Sequence, residues 1–165
     1  MKSPPREWHR RFYYDYFPAI TRAEGSMSFV FKGLIVGAYC SMKNGRRIVK
    51  RGNGLASIKK EKALLWERLA MLQIKPRAVQ YEGPVVLVAD FYYDNVRSDL
   101  DENLLKDMLQ LKRRKKDGSR PPCLGIIKDD NQIKKHVTTW HLDKLNPRVE
   151  FKLVDLETFN EEHNG

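Results

Sequence analysis

The chain has 165 residues, with 31 Lys and Arg against 21 Asp and Glu and a formal charge of +10, so it carries one domain's worth of length under a densely ionic surface. The longest clean apolar run, Val85-Val86-Leu87-Val88-Ala89, is far short of the about 18 residues of a membrane span. The opening residues are basic and aromatic rather than apolar like a secretory leader, and Cys40 and Cys123 are too few for a disulfide framework and lack CxxC spacing, so a reduced, cytoplasmic protein is expected.

Residues 1–27 interleave Trp8, Phe12, Tyr13, Tyr14, Tyr16 and Phe17 with Arg6, Arg10 and Arg11. Such an extension either stacks bases and holds phosphates, or packs its aromatics against the core or a partner subunit. Residues 28–36 alternate apolar and polar and read as a strand. Residues 42–54 hold Lys43, Arg46, Arg47, Lys50 and Arg51 among three glycines, and Asn44-Gly45 is a strong turn pair, so this is a hairpin or a basic loop. Ser57 is placed to cap a helix running to about Leu72 with Trp66 in its core face, and Pro76 ends it.

Residues 84–93 are strongly β, and their near-continuous apolar run suits a central strand covered on both faces. A helix is expected from about Asp101 to Lys116 with Leu104, Leu105, Met108, Leu109 and Leu111 buried, followed by a loop over 117–122. Gly125-Ile126-Ile127 is a short apolar segment leading into Asp129-Asp130. Residues 132–142 and 148–156 read as two strands around Asn146-Pro147, an antiparallel hairpin. The order predicts an α+β fold, one domain with a single mixed β-sheet and helices packed against it. Residues 157–165 are read as an acidic tail.

Charge is segregated along this order. Residues 1–60 hold 13 Lys and Arg against 3 Asp and Glu, whereas residues 61–165 hold 18 of each. That asymmetry points to a polyanionic partner. Asp94, Asp99, Asp101 and Glu102 form an acidic knot, followed by the basic stripe Lys112, Arg113, Arg114, Lys115 and Lys116. Asp99 and Asp101 are two apart, so in extended chain their carboxylates point the same way. Asp129 and Asp130 come from a second strand end; if the two strands are neighbours, all of these acids meet at one edge of the sheet. Like charges that close stay ionised only with a counterion, and Mg²⁺, with Mn²⁺ able to substitute, takes such oxygen ligands and retains water for phosphate chemistry. Lys106, one turn into the following helix, is placed to offset charge building on a phosphate. The plainer reading is local: Asp101 suits an N-cap, Glu102 a helix N-terminus, and Asp129-Asp130 a turn. His9, His136, His141 and His163 share no ligand spacing.

The pattern resembles the RusA-type Holliday junction resolvases, whose signature is a strand, Asp-x-Asp-Asn-x-x-Lys opening a helix, then Gly, two hydrophobic residues, x, Asp-Asp-x-x-Ile/Val leading into a strand. Here the first block reads Asp99-Leu100-Asp101-Glu102-Asn103-Leu104-Leu105-Lys106 and the second Gly125-Ile126-Ile127-Lys128-Asp129-Asp130-Asn131-Gln132-Ile133. The resemblance covers about residues 28–156. It implies a homodimeric, Mg²⁺-dependent endodeoxyribonuclease that resolves four-way junctions by paired nicks in recombination and repair. It further implies Asp99, Asp101 and Asp130 as metal-site carboxylates, Asp129 as a supporting acid and Lys106 as the catalytic lysine. One departure stands out: the family places its lysine four residues after the second Asp, whereas here Lys106 follows Asp101 by five. Either Glu102 is an extra residue absorbed before the helix, or Glu102 replaces the second Asp; the first keeps both aspartates as ligands.

On this reading, phosphates are gripped by Lys43, Arg46, Arg47, Lys50, Arg51 and the 112–116 stripe. Two rivals follow from the same residues: a non-catalytic branched-DNA-binding protein, and an RNA-binding protein using the N-terminal aromatics as a stacking platform.

Overall fold

The computed structural model describes residues 29–42, 46–96 and 101–163. In chain order the elements are β1 (Phe29–Val36), β2 (Arg46–Arg51), β3 (Gly54–Lys59), α1 (Glu61–Gln73), β4 (Val85–Tyr93), α2 (Asn103–Leu109), a 3-10 turn (Asp130–Gln132), β5 (Ile133–Leu142), β6 (Arg148–Asp155) and α3 (Leu156–His163). They make a single-domain α+β fold with a mixed sheet and three helices among the described residues. No helix among these residues is long and apolar enough to cross a membrane.

The main sheet has the order β1-β6-β4-β5, with β4 and β5 parallel and the other neighbours antiparallel. β4 is central because both its faces are apolar where it starts. Val85, Leu87, Ala89, Phe91 and Tyr93 point into the main core, where α1 contributes Ala63, Trp66 and Ala70, and α2 contributes Leu104, Leu105, Met108 and Leu109. Fully burying side chains of this size contributes about 1.5–3 kcal/mol each. Val86 lies on the other face against Val154 and Phe159, the latter from α3. Along β4, Asp90 and Tyr92 are only half-buried, and Asp90 meets His141 across the strands at 3.0 Å.

Three expectations are corrected. First, β5 and β6 are not a hairpin. β6 sits between β1 and β4, and the link between β5 and β6 steps across the end of β4, where Asp143 N–H donates to the Tyr93 carbonyl at 2.9 Å. Skipping one strand spans two inter-strand spacings, about 10 Å, which this short link covers. The exchange puts the most apolar strand inside the sheet.

Second, α2 stops after 7 residues rather than continuing to Lys116. Gln110 bridges to Ile127, and the Leu111 N–H donates to the Ile127 carbonyl at 2.8 Å, so the chain leaves the helix to pair with the apolar 124–127 segment. That segment is buried, and Gly125 makes its turn with φ 58° while Leu111 Cδ1 would lie 3.3 Å from an added Cβ. Five consecutive cations beyond it would also repel along a helix face. Third, Ser57 is not a helix cap. It pairs with Ile48 inside the β2–β3 ribbon, and α1 begins at Glu61.

The ribbon turns at Gly52-Asn53, with Gly52 at φ 60°; Asn44-Gly45 lies outside the described residues. The segment read as an acidic tail forms α3 over Leu156–His163. Asp155 Oδ1 accepts from the Glu157 and Thr158 N–H groups, and Phe159 is buried beneath it. The N-terminal extension, residues 1–27, lies outside the described residues.

One buried ion cluster ties the parts together. Glu67 on α1 is 2% exposed and accepts from Lys59 Nζ at 2.5 Å and Lys112 Nζ at 3.4 Å, while Lys59 also meets Asp107 of α2 at 3.1 Å. Removing the carboxylate takes that partner from Lys112 and leaves Lys59 with Asp107. Glu67→Ala should therefore lower unfolding free energy by about 3 kcal/mol, the low end for a broken buried pair because Lys59 keeps Asp107. Urea denaturation checks this, and a loss below about 1 kcal/mol would contradict it.

Candidate functional site

The first acidic block meets the structure at the start of α2. Asp101 is 3% exposed, and its carboxylate is held from three sides. Ser41 Oγ donates to Oδ2 at 3.0 Å, and Oδ1 accepts from the Asn103 N–H at 3.0 Å and from Asn103 Nδ2 at 2.5 Å. The bond to the N–H two residues on is an Asx turn, and it launches the helix. Beneath it, Tyr39 Oη accepts from the Leu105 N–H at 3.3 Å, and its ring packs edge-on against Trp66 and Phe91. Burial raises the Tyr39 phenol well above its ordinary value, and the nearby Asp101 charge pushes the same way.

Glu102, the residue that stretches the Asp-to-Lys spacing, is a pairing centre. Lys106 Nζ donates to its Oε1 at 2.8 Å, and His136 Nε2 stands 3.5 Å from the same oxygen. Burial works against its charge, but the Lys106 hydrogen bond, Lys106's charge and His136 outweigh it and hold the carboxyl below its ordinary value. His136 lies in β5 opposite Leu87, which places it on the α2 side of the sheet.

The second acidic block precedes β5. Asp129 caps the 3-10 turn: its Oδ1 accepts from the Asn131 N–H at 2.8 Å, and Gln132 Oε1 accepts from the Asp129 N–H at 3.1 Å. Gln132 Nε2 then donates to the carbonyls of Tyr81 and Gly83, which locks the turn onto the segment ahead of β4. Asp130 is exposed on that turn.

The two blocks do not meet as strand ends. β5 starts beside the start of β4, with Val85 opposite Ile133, so Asp130 lies at the opposite end of the sheet from Tyr93, where β4 finishes. α2 links the two blocks. It runs back along the sheet so that Gln110 bridges to Ile127, and it packs against the 3-10 turn. Asp101 precedes the first turn of α2, and Asp130 lies on the 3-10 turn that packs against the helix. Both offer the hard oxygens that Mg²⁺ takes. Among the described residues no three such side chains are gathered to hold a metal ion, and Asp99, the third acid of the motif, lies outside the described residues.

The cations divide into two sets. Arg46, Arg47 and Lys50 are exposed on β2, as are Arg113, Arg114, Lys115 and Lys116 beyond α2. Lys112 is turned inward to Glu67 and does not join that exposed stripe. Arg51 ends β2, and Lys43 lies outside the described residues. A cavity of about 640 Å³ between α1 and the 120–125 segment is lined by Met71, Leu72, Leu111 and Pro122 with Arg68 and Arg120, and carries none of the acids.

Ser41 and His136 are neighbours of these residues that the spacing of acids did not reveal, whereas Glu102 showed itself by lengthening the motif. No family model matches the chain, and no curated protein matches it.

The Glu102 pairs set a pH dependence. Because the folded carboxyl sits below its ordinary value of 4.5, the pairs stabilise the fold at neutral pH, and that contribution fades as pH falls through the depressed value. Glu102→Gln should therefore flatten the acid side of a melting-temperature profile measured below pH 4.5. An acid limb as steep as that of the unaltered chain would contradict this.

Proposed function

We propose that the chain is a Mg²⁺-dependent, structure-selective endonuclease of the RusA type, which resolves four-way DNA junctions by paired nicks as a homodimer in the cytoplasm. The observation that carries this reading is the packing of α2 against the 3-10 turn. It supports the reading because α2, which follows Asp101 and carries Lys106, touches the turn that carries Asp130. A two-fold dimer suits a junction because the junction presents symmetry-related strands.

Mg²⁺ held by Asp99, Asp101 and Asp130 would supply an activated water for attack on the scissile phosphate. The chain's own residues do the rest. Asn103 and Ser41 hold the Asp101 carboxylate in one orientation, and Asp129 keeps the turn that presents Asp130. Lys106, released from Glu102, offsets the negative charge that builds on the phosphate oxygens. The exposed cations of β2 and of 113–116 hold the duplex arms through phosphates, so binding weakens steeply with salt.

A second reading has its own observation. Lys106 is ion-paired with Glu102, the residue that departs from the family spacing. A lysine kept in that pair leaves a protein that binds branched DNA without cutting it.

Incubating a labelled four-way junction with the chain and Mg²⁺ or Mn²⁺ separates the readings. The endonuclease nicks the junction, and Asp130→Asn slows cutting by about 100-fold or more while leaving the band shift intact. Wild-type cutting by Asp130→Asn would show that the site is misassigned. Binding with every strand left whole would favour the second reading.

A further inference from the structure

β2 and β3 form a ribbon that pairs with no strand of the main sheet. Its strands have 6 residues each, about 20 Å of antiparallel ribbon. Arg46 pairs with Lys59, Ile48 with Ser57 and Lys50 with Leu55, so these six residues share one face. On the opposite face Val49, Ala56 and Ile58 are half-buried. Beyond Lys59, which is turned to the helices at the base, the first face is open: Ile48 is 73% exposed and Leu55 78%, diagonal neighbours with Arg46 and Lys50 on either side of Ile48.

Two large apolar side chains held in water beside cations call for a surface that is itself apolar between rows of negative charge. The major groove of B-form DNA has that pattern. It is about 12 Å wide, it admits a two-stranded β-ribbon, and its floor carries thymine C5-methyl groups between two phosphate backbones. We propose that this ribbon is a major-groove arm: Ile48 and Leu55 rest against thymine methyls of a duplex arm while Arg46 and Lys50 reach the flanking phosphates. The arm has a fixed base. Lys59, at the end of β3, is bonded to Glu67 on α1 and to Asp107 on α2, the helix that Asp101 precedes. The bases under the ribbon therefore set which phosphate faces the acidic elements, and a junction endonuclease built this way carries a thymine preference at a fixed offset from its cut. This rests on the reading of the chain as a binder of branched DNA.

The test titrates the full chain with a fluorescent four-way junction and with the same junction carrying uracil in place of every thymine. Removing a buried methyl weakens binding about fourfold per contact. The unaltered chain should bind the uracil junction at least about fourfold more weakly. Ile48→Ala/Leu55→Ala should bind both junctions equally, with an unchanged slope of affinity against salt. Arg46→Ala/Lys50→Ala should keep the thymine preference and lose about two units of that slope. All four positions are exposed, and equal melting temperatures confirm that the variants are folded.

Equal affinity of the unaltered chain for the two junctions, or a thymine preference that survives in the apolar variant, overturns the proposal and leaves DNA binding standing. Failure to bind either junction overturns both readings. An A-form RNA duplex bound as tightly as DNA also overturns it, because the RNA major groove is too narrow and deep for a ribbon.

Discussion

Glu67 is almost completely buried, and a carboxylate in that position needs partners, which Lys59 and Lys112 supply. That requirement joins four parts of the chain. Lys59 is the last residue of the ribbon, Glu67 lies mid-way along α1, Asp107 is on α2, and Lys112 follows α2. α1 and α2 also share the apolar core over β4, so the cluster does not add cohesion so much as set register. It fixes where the projecting ribbon stands relative to the helix that starts at Asp101. An apolar substitute could fill the space, but it would not hold a strand end, two helices and a loop at one point.

The same helix links the two acidic blocks. Parallel pairing puts the start of β5 beside the start of β4, so acids placed after β4 and before β5 lie at opposite ends of the sheet. Between them α2 runs back along the core from Asp101 toward Ile127. Its short length matters: the chain departs at Gln110 to pair with the buried 124–127 segment, and that segment delivers Asp129 and Asp130 to the flank of α2. A helix continued to Lys116 would carry the chain past this pairing.

Much of the fold was legible. β1, β4, the Trp66 core face of α1 and the mixed sheet follow from apolar alternation and from one strand apolar on both sides. The exchange of β5 and β6 was not, because a turn signal at Asn146-Pro147 marks where the chain bends and not which strand it then pairs with. The early stop of α2 depended on a partner segment about fifteen residues away, which no local propensity encodes. α3 was hidden by its charge; its anchor is the single buried Phe159. Of the acids picked out by spacing, Asp101, Asp129 and Asp130 are each seen with their partners or exposure, and Asp99 lies outside the described residues. The pairing of Glu102 with His136 was not legible, since it depends on which face of β5 the histidine occupies. Lys112 belongs by sequence to a basic stripe and by structure to the buried cluster. Charge runs show where cations are plentiful, and burial decides which of them remain available to a partner.

The account turns on one arrangement: carboxylates from both acidic blocks serving a single divalent ion. Crystals of the chain grown with Mn²⁺ and measured for anomalous scattering test it most directly. The account predicts one manganese peak within bonding distance of both the Asp101 and the Asp130 carboxylates, with Asp99 as a further ligand. A peak bound elsewhere, or Asp101 and Asp130 too far apart to share an ion in the presence of saturating Mn²⁺, would contradict it.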